Sequence, residues 1–156
     1  MSDYMQLAVD SAYQGIEEDE GGPFGACLVD DKGEVVAVAH NTVLKDHDPT
    51  CHAEINCIRE ACRRLGTHIL SDCTLYTTAE PCPMCLAAIY WARIKKVYIG
   101  VNRECAARYG FDDAFFYEQL QLPPEGRELS ETFDLTSTKA CEGVFAKWRQ
   151  LERRLY

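Results

Sequence analysis

The sequence lacks any apolar run approaching the roughly 20 residues needed to cross a bilayer, although hydrophobic residues fill 47% of its 156 positions. No membrane partner is therefore expected. Met1–Asp10 also lacks the basic start and apolar stretch of a secretion signal, so a soluble, cytoplasmic protein is expected. Positive charge is in deficit, with 16 Lys and Arg against 25 Asp and Glu, a formal net charge of −9. Binding a phosphate backbone rests on clustered cations displacing counterions, so a nucleic-acid partner is disfavoured. Internal repeats, low-complexity tracts and Ser/Gly linkers are missing too, and residues 1–156 are expected to form one domain around one core.

Cysteine, by contrast, is abundant. The count of nine is odd, and a chain of this length needs no staples, which points to reduced thiols with some bound to metal. Cys27, Cys57, Cys62, Cys73, Cys105 and Cys141 sit at apolar or unremarkable positions and read as small core residues. His40, His47 and His68 read as surface or loop residues.

Apolar spacing at Met5, Leu7, Ala8, Val9, Ala12, Tyr13 and Ile16 predicts a first helix over 3–16. The acidic run Glu17–Glu20 reads as a solvated loop, and Gly21-Gly22-Pro23 breaks any further helix. Phe24–Val29 and Glu34–Ala39 read as strands joined by the turn Asp30-Asp31-Lys32-Gly33. After a loop over 41–50, a helix is predicted from His52 to Leu65, stopped by Gly66. A strand over 73–78, a helix over 82–91 and a strand over 96–101 follow, and a last helix is predicted over 139–154. Strands alternating with helices predict an α/β domain, a sheet covered by helices.

The chemistry is concentrated in Cys51-His52-Ala53-Glu54 and, about thirty residues later, Glu80-Pro81-Cys82-Pro83-Met84-Cys85. Each group opens a predicted helix. Two cysteines three apart at a helix start can aim both sulfurs at one ion, and the backbone N–H groups and dipole there favour thiolate. His52 can add a nitrogen ligand, with Cys51 as the competing donor. Three protein ligands leave a fourth tetrahedral position for water, which separates a catalytic Zn2+ site from a closed structural one. Glu54, two residues beyond His52, can reach that position without ligating the ion, which suits a general acid/base. A lone Cys-x-x-Cys would also fit a structural zinc or redox module, but that reading leaves Glu54 without a task.

His-x-Glu followed by Pro-Cys-x-x-Cys is the signature of zinc deaminases that act on nucleobases. With Gly21-Gly22-Pro23-Phe24-Gly25-Ala26, His47-Asp48-Pro49-Thr50 and Tyr90-Trp91-Ala92-Arg93, the chain resembles the small bacterial guanine deaminases of the cytidine deaminase superfamily. Much of this is shared with tRNA adenosine deaminases. The segment Gly110-Phe111-Asp112-Asp113-Ala114-Phe115 and the terminal Tyr156 resemble the guanine enzymes alone.

The resemblance implies a three-layer α/β/α fold with a five-stranded mixed sheet and helices on both faces. It also implies a homodimer whose C-terminal segment, about 139–156, is swapped onto the partner subunit. Zinc would be held by His52, Cys82 and Cys85, with Glu54 catalytic and Asp113 a second proton carrier. Asn41 would hydrogen-bond the purine, Phe24 and Trp91 would line it, and Tyr156 would reach it from the other subunit. The bland alternatives are that Phe24 and Trp91 are core, Asn41 caps a turn and Asp113 lies in a solvated loop. The implied reaction is hydrolysis of guanine at C2 to xanthine and ammonia. Guanosine, another 2-amino purine or a pterin are close alternatives, and tRNA adenosine is a more distant one, for which Lys147, Arg149, Arg153 and Arg154 would supply the basic surface.

Overall fold

The computed structural model describes residues 3–156, and these fall into two compact units that divide between Phe116 and Tyr117. In the first unit, helix α1 (Asp3–Glu17) leads into strands β1 (Gly25–Val29) and β2 (Val35–His40). A short helix α2 (Val43–Asp46) precedes α3 (Ala53–Leu65), then come β3 (Thr74–Ala79), α4 (Pro83–Trp91), β4 (Lys96–Val101) and α5 (Arg103–Arg108). Helix α6 (Ala114–Gln121) runs across the boundary, and α7 (Thr138–Gln150) belongs to the second unit.

The strands pair in the order β2-β1-β3-β4, with the first two pairings antiparallel and the last parallel. Side chains alternate between faces along a strand, and here the alternation divides the core. Ala26, Leu28 and Leu75 pack with Ala53, Cys57, Ala61 and Ile89 of α3 and α4, while Cys27 and Val29 pack with Ala8 of α1 on the other face. Leu28, Leu75 and Cys57 are fully buried, and an aliphatic side chain of that size contributes about 1.5–3 kcal/mol when taken out of water. Gly25 lets α1 approach β1, because a Cβ there would lie 1.9 Å from the Ala8 carbonyl oxygen.

The sheet has four strands, not the five that the resemblance implies. Beyond β4 the chain of the second unit goes into helices and a 3-10 turn at Pro124–Gly126. Its remaining stretch is bent by Asp134, whose carboxylate accepts the Thr136 N–H at 3.0 Å and the Ser137 hydroxyl at 2.7 Å. A side chain that closes a turn in this way competes with ladder formation. Phe133 and Leu135 beside it are 88% and 80% exposed.

Two further expectations are corrected. The last helix ends at Gln150 rather than Arg154, with Glu152 in left-handed backbone at φ 48°. The loop over 41–50 contains α2, whose four residues are too few to show a helical period. Among the described residues no helix is long and apolar enough to cross a membrane.

Candidate metal and acid/base site

Two helix starts build the site. His52 is the residue just before α3, in extended backbone at φ −71°, ψ 157°, and Cys82 holds the same place before α4 at φ −65°, ψ 169°. Pro83 fits the first turn of α4, where its missing N–H has no intrahelical partner to lose. One turn on, Cys85 is fully buried. His52 Nδ1 lies 3.6 Å from Cys82 Sγ and 3.5 Å from Cys85 Sγ. Ligand bonds of about 2.3 Å to sulfur and 2.0–2.1 Å to nitrogen, at tetrahedral angles, put the donors roughly 3.5–3.6 Å apart. The three residues therefore fit a zinc ion. Among the described residues they are the one His/Cys/Asp/Glu group whose donors converge within 4.8 Å.

Cys51 does not compete. It is buried, and its sulfur accepts a hydrogen bond from Arg59 Nη1 at 3.4 Å.

The thiols are electrostatically unequal. A hydrogen bond from Cys85, then one with His52, draws the Cys82 thiol down from 9.0 to about 4, while the hydrogen bond with Cys82, then burial, pushes the Cys85 thiol up. The hydrogen bond to Cys82 raises the His52 imidazole in turn. Glu54, the second residue of α3, is 6% exposed, and burial raises its carboxyl above the ordinary range. A carboxyl raised by burial is suited to taking and returning a proton near neutral pH.

Asp113 is half-buried on the loop before α6. Burial raises its carboxyl first, and the negative charge of Cys82 raises it further, which places it within the field of the metal donors. Phe24 is half-buried and meets Phe111 edge-on, with centroids 5.0 Å apart, and its carbonyl accepts the Asn41 N–H at 3.0 Å. Asn41 is buried, and its Oδ1 accepts N–H groups from Gly22 at 3.2 Å and Val43 at 3.1 Å. The Val43 contact closes a local turn into the first residue of α2, and with Oδ1 so engaged Nδ2 is the end able to donate elsewhere.

Trp91 ends α4 and is 62% exposed, with the Arg93 guanidinium 5.8 Å from its ring centre, so it is not a core residue. Tyr156 lies in the second unit and is 72% exposed. A groove of about 710 Å³ between α1, β2 and α3 has none of the metal donors among its lining residues.

Sequence reasoning missed a charged network. Glu20 is only 9% exposed, not part of a solvated loop, and its carboxylate meets Lys45 Nζ and, at 2.8 Å, His40 Nε2. His40, read as a loop residue, also lies 3.0 Å from Ser11 through its Nδ1. The one available signal was the position of Glu20 directly before Gly21-Gly22, where an acidic run must turn.

A three-donor zinc site at paired helix starts, with a buried carboxylate in the same turn, defines a metal-dependent hydrolytic enzyme. The chain belongs to the family of the cytidine and deoxycytidylate deaminase zinc-binding region, whose model matches residues 1–101. It is 43% identical over 151 residues to the guanine deaminase of Bacillus subtilis, covering 97% of this chain and 95% of that protein. A crystal structure of guanine deaminase from Bacillus subtilis superposes with a TM-score of 0.90 at 42% identity, covering 100% of this chain and 99% of that one. The similarity to the tRNA-specific adenosine deaminase of Aquifex aeolicus is 46% over 94 residues, which is 60% of this chain and 61% of that protein.

Proposed function

We propose that this protein is a cytoplasmic, zinc-dependent hydrolase that converts guanine to xanthine and ammonia. The observation that carries the chemistry is Glu54, a buried carboxyl one residue beyond the start of the helix that His52 opens, in side-chain hydrogen bonding with Cys85 of a donor set of zinc dimensions. The substrate is supported by the reach of the similarity. Likeness to the tRNA enzyme covers 60% of the chain, whereas likeness to a guanine deaminase covers 97%.

Zinc, held by His52, Cys82 and Cys85, would supply a Lewis acid that lowers the pKa of water at neutral pH. The remaining work belongs to the chain. Glu54 takes the proton of the attacking water and delivers it to a ring nitrogen as C2 becomes tetrahedral. Glu54 then takes the proton of the new C2 hydroxyl as the C2–N bond breaks and the carbonyl forms, Asp113 protonates the departing amino group, which leaves as ammonia, and the proton on Glu54 returns to Asp113 through solvent. Asn41, with its Oδ1 committed to Gly22 and Val43, donates through Nδ2 to an acceptor on the purine. Phe24 flanks the base, and Trp91 and Tyr156 complete the pocket, Tyr156 from a second subunit.

That last role makes the protein a homodimer with the segment 139–156 exchanged between copies of the single deaminase domain. The apolar side chains left open in the second unit support this reading, since Val144 is 69% and Phe145 77% exposed, and exposed apolar clusters mark interaction surfaces. An ammonia-release panel on zinc-loaded protein tests the substrate, with guanine, guanosine, a pterin, adenine and cytosine in separate assays. Turnover of guanine above the others is expected, and a preference for guanosine or a pterin would reassign the substrate. Tight tRNA binding that weakens steeply with salt would favour the adenosine reading instead.

A further inference from the structure

The proposed reaction makes no use of Glu20, yet it is among the few charged side chains that the fold buries. Both carboxylate oxygens are engaged, one by Lys45 Nζ and the other by His40 Nε2 at 2.8 Å. The main chain is tied as firmly. The Glu20 N–H donates to the Gly15 carbonyl at 2.9 Å, and its own carbonyl accepts the N–H groups of Leu44 at 3.1 Å and Lys45 at 3.0 Å. Glu20 thus fastens the end of α1, the last residue of β2 and the first turn of α2 to one another.

Asn41 sits at the joint of these segments, between His40 and α2. The two N–H groups that hold its Oδ1 come from Gly22, two residues after Glu20, and from Val43, next to the residues that Glu20 binds. The joint has little slack, because a Cβ on Gly21 would lie 2.2 Å from Asn41 Oδ1. The placement of the Asn41 amide therefore depends on the spacing of two backbone segments that Glu20 clamps. The neighbouring acids Glu17, Glu18 and Asp19 are all exposed, so Glu20 is the member of the run that turns inward.

We infer that Glu20 is a positioning residue for the substrate-facing amide of Asn41, acting through the Gly22 and Val43 N–H groups; this rests on the proposed role of Asn41 as the hydrogen-bond partner of the purine. A double-mutant cycle tests it. Glu20→Ala and Glu20→Gln are made alone and combined with Asn41→Ala, and all are assayed for guanine turnover and zinc content. Displacing one buried, preorganised hydrogen-bond donor raises KM for guanine roughly 10- to 100-fold in Glu20→Ala, with kcat changed about threefold or less and zinc retained. Glu20→Gln, which keeps an acceptor oxygen, shows a smaller rise.

On the Asn41→Ala background the Glu20 substitution adds less than about a twofold change, because no amide is left to position. An unchanged KM in Glu20→Ala, or the same KM factor on both backgrounds, overturns the inference. If Glu20→Ala fails to fold, Glu20→Gln enters the cycle under the same criterion. Where turnover is too slow to follow, the dissociation constant of guanine on Glu54→Gln protein completes it. A wild-type protein without guanine turnover refutes the substrate reading itself, an outcome distinct from active wild-type enzyme with an indifferent Glu20.

Discussion

His52 and Cys82 hold matching stations on two different helices, each the last extended residue before its helix begins, with Nδ1 and Sγ 3.6 Å apart. A residue in that station projects its side chain past the helix end, where unpaired N–H groups and the positive end of the dipole favour an electron-rich donor. Removing a donor should therefore remove the metal. Cys82→Ala and Cys85→Ala are expected to bind well under one zinc per chain after dialysis, measured by atomic absorption. Either variant retaining a full equivalent would show that the three residues are not the binding set.

Glu54 is proposed to move protons without holding the ion. Glu54→Gln should keep its zinc and lose about 100- to 10,000-fold in kcat, the usual size of an acid/base contribution. Wild-type turnover in this variant would sink the mechanism, whereas loss of zinc would make Glu54 a ligand.

Asp113 carries a subtler expectation, since its burial, and then the field of Cys82, favour the protonated form needed by a donor to the leaving amino group. Asp113→Asn should lower kcat by a similar factor while zinc and the melting temperature stay as they were. Near-normal steady-state rates would return Asp113 to the status of a loop residue.

Where the sequence spoke through period and punctuation, it was legible. The four strands were all readable from their apolar runs, and α3 ends at Gly66, whose φ is 65°. The metal donors were readable for a related reason, since their spacing at helix starts is a local matter. Helices α2 and α5, with four and six residues, fall below the length at which a 3.6-residue period can be seen. The extra strand came from likeness to relatives rather than from any run of residues here. The burial of Glu20 was hidden for another reason. A charge run ordinarily faces water, and the partners that overrule this lie 20 and 25 residues away, on β2 and in α2.

The hydrogen bond with His40, and then that with Lys45, holds the Glu20 carboxyl at about 2 against an ordinary 4.5. A carboxylate depressed in the native state stabilises the fold above its unfolded value, and that contribution is lost as pH falls through the native one. The difference in melting temperature between wild type and Glu20→Gln should be full at pH 6 and narrow steadily from pH 4.5 towards 2. A pH-independent difference would show that the ionised form is not what stabilises the network.

Gly25 offers a test of the fold alone. A methyl group at this position would press on the Ala8 carbonyl oxygen from 1.9 Å, a main-chain atom rather than the end of a flexible side chain. Gly25→Ala should cost at least about 1–3 kcal/mol in urea unfolding, the range for overpacked sites. An unchanged midpoint would mean that α1 can lift off β1 freely.

His52 and Cys82 stand 30 residues apart in sequence. An ion gripped by both closes a loop of chain, much as a covalent cross-link does, and restricts the conformations open to the unfolded polypeptide. Chelation should thus be felt beyond the chemistry, as a lower denaturation midpoint and slower recovery after denaturant is removed. The same atom would serve as reagent and as rivet, so a cell short of zinc would lose the protein along with its activity.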